Sequence, residues 1–322
     1  MKLIKTLLCG VPLLDMTNAE FGTVVRSTGS WNTVRTSLGF HLECRLRGQF
    51  RNHQMRATNP IAVGDHVRYS LEDDGTGVIT EILDRRNYII RKSVNLSKEV
   101  HVIAANIDQA LIIATVSQPR TSLGFIDRFL CVAEAYGIPA MVVLNKMDLH
   151  TEPEQMELNR TYEQIYVGAG YPVFQVSATK NMGIEDLKSV LKGKVSLVFG
   201  HSGVGKSTLL NAIQPELDLR TGEISDVHSK GKHTTTFAEM FELNNGGFVI
   251  DTPGVKEFGM VNMKEEELYH YFPEIFMAAA DCKFGNCLHR DEPGCAVKQA
   301  VENGGIAESR YSNYISVLDT LA

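Results

Sequence analysis

One stretch limits what this chain can become more than any other: Gly200-His201-Ser202-Gly203-Val204-Gly205-Lys206-Ser207, which fits G-x-x-x-x-G-K-[ST]. It follows an apolar run, Val195 to Phe199, and opens a helical pattern near Lys206. Strand, loop and helix therefore arrive in the order a phosphate-binding loop needs. The glycines let backbone N–H groups curl around phosphate oxygens. Lys206 then reaches the terminal phosphates, and the Ser207 hydroxyl suits a magnesium ion.

The surrounding pattern agrees. Beyond Lys98, strands are expected at Ala110 to Val116, Ala140 to Leu144, Val173 to Val176 and Val195 to Phe199, with helices at Ile126 to Tyr136 and Ile184 to Leu191. Two more strands fall near Phe237 to Phe241 and Gly247 to Ile250, which predicts an α/β sheet with helices on its faces.

Three further strand ends carry chemistry. Asn145-Lys146-Met147-Asp148 follows Leu144, and an Asp carboxylate there can accept from guanine N1–H and from the N2 amine, donors that adenine lacks. Ser177-Ala178-Thr179-Lys180, after Val176, is similar to a short loop whose backbone meets guanine O6. Asp251-Thr252-Pro253-Gly254 ends the last strand, with Asp251 expected to face the magnesium shell and the Gly254 N–H the γ-phosphate. Upstream, Gly231-Lys232-His233-Thr234-Thr235-Thr236 offers Thr234 or Thr235 to complete the metal's coordination once GTP is bound. Each piece alone reads as a helix cap, a turn or a hydroxyl-rich loop. Four of them at strand ends in one chain read as a GTPase.

Their order is unusual, because the base-reading segments precede the phosphate loop. A sheet tolerates this when its nearby old termini are joined and a loop is cut, giving a circular permutation. The permutation puts the last switch segment next to the C-terminal region, so whatever follows Gly254 is coupled to a segment that feels the γ-phosphate. Val255 stands where many GTPases place a glutamine that orients water, and it offers no side-chain hydrogen bond. Hydrolysis is expected to be slow until a partner completes the site. His233 and His201 are both candidates for positioning water, with phosphate or partner contact as the alternative.

The N-terminal region has another character. From Phe21 to Lys98 there are 12 Lys/Arg against 7 Asp/Glu, on a chain whose formal charge is −6. A basic module on an acidic protein points to a polyanionic partner, the plain alternative being a solvated face. Short strands at Phe21 to Arg26, Asn32 to Thr36, Phe40 to Leu46, His66 to Leu71 and Gly77 to Ile82 suit a small OB-type barrel. Arg35, Arg45, Arg47, Arg51 and Arg56, near Trp31, Phe40 and Phe50, supply charge and stacking surface for nucleic acid, although these aromatics also suit a core.

Cys282-x4-Cys287-x-His289-x5-Cys295 gathers four ligands within 14 residues. Three thiolates and an imidazole suit tetrahedral zinc of the closed, structural type, with a redox cluster or free thiols as alternatives. Cys9, Cys44 and Cys131 read as free, partly buried thiols. The region from Lys264 is helical and acidic, ending in a helix from Ile306 to Leu318 whose apolar side packs on its own domain. Lys2 and Lys5 before a short apolar run resemble a leader only faintly, because Pro12 interrupts it and Met16 offers a second start. No apolar run is long enough to span a membrane.

As a set, these residues resemble the small ribosomal subunit-dependent GTPase A family over nearly all of the chain from Phe21. Cys44-Arg45-Leu46-Arg47-Gly48-Gln49-Phe50-Arg51 also resembles that family's barrel strand. The resemblance implies three domains: an OB-fold β-barrel at 17–97, a circularly permuted α/β P-loop GTPase at 98–263, and a small α-helical zinc-binding domain at 264–322. It implies that Asn145, Lys146, Met147 and Asp148, with Ser177 and Ala178, read guanine, and that Gly200 to Thr208 hold phosphates and magnesium. It further implies one structural zinc ion on Cys282, Cys287, His289 and Cys295, and a hydrophobic substitution of the catalytic glutamine at Val255. The expected protein is a cytoplasmic, monomeric assembly factor that binds the small ribosomal subunit and its rRNA and hydrolyses GTP to GDP on contact with it.

Overall fold

A computed structural model describes residues 20–47, 60–92, 100–220, 238–252 and 263–321. Five strands with alternating inward apolar residues come first: β1 (Glu20–Ser27), β2 (Asn32–Thr36), β3 (His41–Leu46), β4 (His66–Leu71) and β5 (Gly77–Ile82). They pair in the order β1–β2–β3–β5–β4, and β4 returns to β1, so the sheet closes on itself. Val24, Val34, Cys44, Val67, Tyr69 and Ile79 fill the interior. Closure removes the free edges of an isolated sheet. The result is the small OB-type barrel that the strand spacing predicts.

A hairpin that the apolar pattern does not announce follows, β6 (Tyr88–Lys92) with β7 (Val100–Ala105). It receives the barrel's 60–65 turn. Val63 bridges to Ala104, and Gly64 lies so close to the Ala105 carbonyl that a Cβ would collide with it. Arg85 forks onto the buried Asp65 at 2.6 and 2.7 Å and fixes that turn.

The α/β layer contains β8 (Gln109–Ala114), α1 (Leu123–Ala135), β9 (Ala140–Leu144), α2 (Pro153–Gly168), β10 (Val173–Gln175), α3 (Ile184–Leu191), β11 (Val195–Phe199), α4 (Lys206–Ile213), β12 (Glu239–Glu242) and β13 (Phe248–Asp251). Strands β10, β9, β8, β11 and β13 run parallel, and β12 is antiparallel at the end. Parallel strands covered on both faces must be apolar throughout, and β8 and β9 are buried at every residue. Helix α1 begins three residues before the expected Ile126 because Ser122 caps it, its side chain accepting from the Phe125 N–H. Helix α2 has a largely polar sequence that the apolar period does not signal; it buries Asn159, Tyr162 and Tyr166.

Strand β12 also pairs with barrel strand β1, Arg26 opposite Glu239, so one sheet of 11 strands runs from the α/β layer into the barrel. The C-terminal region is built from a 3-10 turn at Glu265–Tyr271, α5 (Pro273–Ala279), α6 (Ala296–Glu302) and α7 (Glu308–Leu318). Its core of Leu268, Phe272, Ile275, Val297, Tyr314, Val317 and Leu318 includes Cys131 of α1, so this region packs directly on the α/β layer. No helix among the described residues is long and apolar enough to cross a membrane.

Candidate functional site

Asn145 to Asp148, Ser177 to Lys180, Gly200 to Ser207 and Asp251 meet at the carboxyl ends of the parallel strands, where open α/β sheets place their ligand crevice. Gly205, at φ +90°, turns the chain into α4, and a Cβ there would stand 2.6 Å from the Asn145 amide nitrogen. At Gly200 a Cβ would collide with the Ile113 carbonyl. Asn145 is 1% exposed. Its amide donates to the Val204 carbonyl at 2.9 Å, and its Oδ1 accepts from the Ala178 N–H at 3.4 Å. One side chain therefore fastens 200–208 to both base-side loops.

Lys146 sits in the left-handed region at φ 64°, and its ammonium reaches across the loop to the Gln118 carbonyl at 2.6 Å. Met147 opens a 3-10 turn that carries Asp148. The Asp148 carboxylate accepts from the Ser177 hydroxyl and, at 3.0 Å, from Thr179. The Ser177 hydrogen bond holds this carboxyl below the usual range, so it is ionised at neutral pH and able to accept from donors. Asn145, Lys146, Asp148, Leu149, Ala178, Thr179, Gly205 and Thr208 line a groove of about 140 Å³.

Lys206 is turned back on its own loop, donating to the carbonyls of Gly200 at 2.7 Å and His201 at 3.1 Å. Burial lowers its pKa, and Asp251 opposes that shift. Asp251 ends β13 opposite Val198 of β11, beside the phosphate loop, and burial raises its carboxyl. Its Oδ1 is buried without a hydrogen-bond partner. An orphaned carboxylate oxygen near Lys206 fits a site completed by a cation and phosphate. His201 lies flat on Phe125, with ring centroids 3.5 Å apart, and burial followed by Lys206 lowers its pKa. Ser202, Gly203 and Ser207 lie on the same loop and first helical turn. His233, Thr234, Thr235, Gly254 and Val255 lie outside the described residues.

The second cluster is local. The ligand atoms of Cys282, Cys287, His289 and Cys295 all lie within 4.8 Å of one another. His289 Nδ1 stands 3.6 Å from the Cys282 sulfur and 3.5 Å from that of Cys295, and the two sulfurs are 4.0 Å apart. Zn–S bonds of about 2.3 Å and Zn–N of about 2.0–2.1 Å at tetrahedral angles give edges of about 3.5–3.8 Å, so the donor set fits that ion. The surrounding backbone is pinned. His289 adopts φ 61°, Glu292 accepts from the N–H groups of Leu288 and Arg290, and the Tyr311 hydroxyl donates to the His289 carbonyl at 2.7 Å.

On the barrel, Arg45 lies over Trp31 at 4.1 Å and Arg68 over Phe21 at 4.8 Å, while Phe40 is 61% exposed. Arg35 departs from the expected nucleic-acid face, because it forks onto Glu242 of β12. Phe50, Arg51 and Arg56 lie outside the described residues. Two features carry no sequence signal: the Phe125 stack, and a buried cluster in which Arg310 of α7 bonds Asp127 of α1 and Glu274 of α5.

A closed five-stranded barrel, a P-loop α/β domain with its base loops ahead of its phosphate loop, and a Cys3His cluster together define a circularly permuted GTPase with a metal-binding tail. Family models agree: that of the RsgA N-terminal domain matches residues 21–79, and that of the RsgA GTPase matches 82–261. The chain belongs to the RsgA GTPase family and is a GTP-hydrolysing enzyme. It is 53% identical over 298 residues to small ribosomal subunit biogenesis GTPase RsgA 2 of Bacteroides thetaiotaomicron, covering 92% of this chain and 96% of the relative. It is 50% identical over 304 residues to the RsgA of Flavobacterium psychrophilum, covering 92% of each. The crystal structure of YjeQ from Thermotoga maritima superposes with a TM-score of 0.77 at 41% identity, covering 94% of this chain and 99% of that one. YloQ, described as a circularly permuted GTPase, superposes with a TM-score of 0.74 at 31% identity, covering 97% and 98%.

Proposed function

We propose that this protein is a cytoplasmic, monomeric assembly factor that binds the small ribosomal subunit through rRNA and hydrolyses GTP when it engages that particle. The observation that carries the reading is the Asn145 side chain, which ties phosphate loop and base loops into one crevice although the chain supplies them in permuted order. The names of relatives 50–53% identical support the choice of particle.

In this reading residues 17–97 grip rRNA phosphates, 98–263 hold and cleave GTP, and 264–322 form the zinc-bearing domain. Asp148 accepts from guanine N1–H and N2, and the Ala178 N–H faces O6. Lys206, whose ammonium now donates to the Gly200 and His201 carbonyls, turns towards phosphate oxygens, and the first turn of α4 adds its N–H groups. Ser207 with Thr234 or Thr235, backed by Asp251, are the groups suited to a magnesium ion, which when bound would withdraw charge from the phosphate oxygens. Cys282, Cys287, His289 and Cys295 hold zinc in a closed, structural site. The Gly254 N–H meets the γ-phosphate. Val255 gives the attacking water nothing to bond, which leaves its alignment to a group supplied or reordered by the subunit, with His233 the candidate on this chain.

Single-turnover hydrolysis tests the proposal, measured alone and with purified small subunits, large subunits or tRNA. A slow intrinsic rate raised by small subunits is expected. Equal stimulation by all three, or a fast rate with no partner, would overturn it.

A further inference from the structure

Helix α1 touches both the phosphate loop and the metal-binding domain. In its first turn, Phe125 lies under His201, with the planes 25° apart. Phe125 also stacks on Phe199 at the end of β11, and Phe199 stacks on Phe129 of the same helix. The second residue of the phosphate loop is thus seated on an aromatic column rooted in α1.

Two residues beyond Phe125, Asp127 is wholly buried against α7. Its carboxylate accepts from Arg310 Nη1 at 2.9 Å and from Asn313 Nδ2 at 2.6 Å. The helices approach closely, for a Cβ on Gly124 would stand 3.1 Å from Asn313 Oδ1. Arg310 forks onto Glu274 at 2.7 and 3.0 Å. One and four residues further along α7, the hydroxyls of Tyr311 and Tyr314 donate to the carbonyls of His289 and Leu288, which fixes the metal-binding loop. Every step from His201 to the Cys3His cluster is a direct contact or a stretch of helix.

The loop end of this path has two conditions. Lys206 now satisfies the His201 carbonyl, and an ammonium that turns towards phosphate oxygens shares its three donors between them and the loop carbonyls, so bound nucleotide competes for that contact. We propose that Phe125 and Asp127 couple the nucleotide site to the metal-binding domain. They tie the place of His201 in the phosphate loop to the seating of α7, so nucleotide and metal-binding domain influence each other through α1. This rests on reading Gly200 to Thr208 as the phosphate site. Linkage makes the influence reciprocal, and such couplings are typically about 5–150-fold.

The test measures hydrogen exchange of the α7 amides in zinc-loaded full-length protein, without nucleotide, with GDP and with a non-hydrolysable GTP analogue. Each nucleotide's Kd is measured alongside. Nucleotide is expected to change α7 exchange by about fivefold or more. Phe125→Leu should bind nucleotide yet lose that response, and Phe125→Tyr, which keeps the stack, should retain it. Asn313→Ala, remote from nucleotide, should change nucleotide affinity by a similar factor. Exchange that ignores bound nucleotide, or a response that survives Phe125→Leu, would overturn the coupling and leave the phosphate-site reading standing. Wild-type protein that binds neither nucleotide would overturn both. Should Phe125→Leu lose its zinc, unchanged affinity in Asn313→Ala overturns the coupling by itself.

Discussion

Strand β1 of the barrel meets β12 through one register pair, and Arg35 of the neighbouring β2 adds an ion pair to Glu242, the two side chains being 26% and 47% exposed. Helix α7 meets α1 through Arg310 and Asp127, which are 1% and 0% exposed. The pairing chemistry is alike and the surroundings are opposite. An exposed pair gains little and is screened by salt. A buried guanidinium shared between two carboxylates repays its desolvation only while every partner is present. The barrel has a second hold, the Arg85–Asp65 turn, but that holds residues 60–65 against β7 rather than securing β12. The ion pair at β12 is therefore the weaker of the two. The barrel is held there chiefly by the β1–β12 pairing and by Val25 of β1, buried in one apolar core with Met240 of β12, whereas the metal-binding domain is tied to α1 by its buried charges.

Removing the proposed zinc should have the largest effect. Structural zinc contributes about 10–16 kcal/mol in isolated fingers, so a strong chelator should unfold much of 264–321. Limited proteolysis should then cut that region while the α/β layer stays protected. A chelated protein with an unchanged digest would mean the apolar core around Tyr314 suffices. Next comes the seam itself. Arg310→Leu leaves two carboxylates buried without their cation and should cost about 3–5 kcal/mol in denaturant unfolding. Replacing Asp127 and Glu274 with apolar residues as well should recover much of that loss. A mild effect of Arg310→Leu alone would show that water reaches the cluster, erasing the contrast between the seams.

Asp148→Asn should touch neither seam and still change the enzyme. Its amide donates where guanine N2 also donates, but complements the carbonyl that xanthine carries there. GTP affinity should fall by roughly two orders of magnitude or more, and XTP should be preferred. The pH dependence has a definite sign. Because Ser177 depresses the Asp148 pKa, the ionised acceptor is present throughout the neutral and mildly acid range and is lost only as pH falls through that lowered value. Weakening of GTP binding already near neutrality would contradict this.

What the sequence makes legible are the positions where chemistry dictates residue type at a strand end. Asp148, Lys206, Gly205 and the Cys3His spacing each have few substitutes, and so did the alternation that closes the barrel. Arg310 is illegible for the opposite reason. An arginine in an amphipathic helix reads as solvent-facing, and its burial depends on Asp127, 183 positions away. Phe125 reads as an ordinary core residue until the fold brings His201 onto it. Arg35 belongs to a basic run that suggests nucleic acid, and only the β1–β12 pairing reveals Glu242 beside it. Local chemistry is written locally, whereas the seams arise from the tertiary fold.

The smallest expected effect tests the contrast most directly. A double-mutant cycle on Arg35→Ala and Glu242→Ala should give a coupling of about 0.2–1 kcal/mol at low salt, the fork placing it towards the upper end. At 1 M salt, where the screening length shrinks to about 3 Å, the coupling should nearly vanish. A cycle on Arg310 and Glu274 should give a larger coupling that salt barely changes, because no ion reaches a pair this buried. If both cycles respond to salt alike, the two seams differ only in strength. If they diverge, ionic conditions weaken the Arg35–Glu242 tie while the Arg310 cluster between the metal-binding domain and α1 holds.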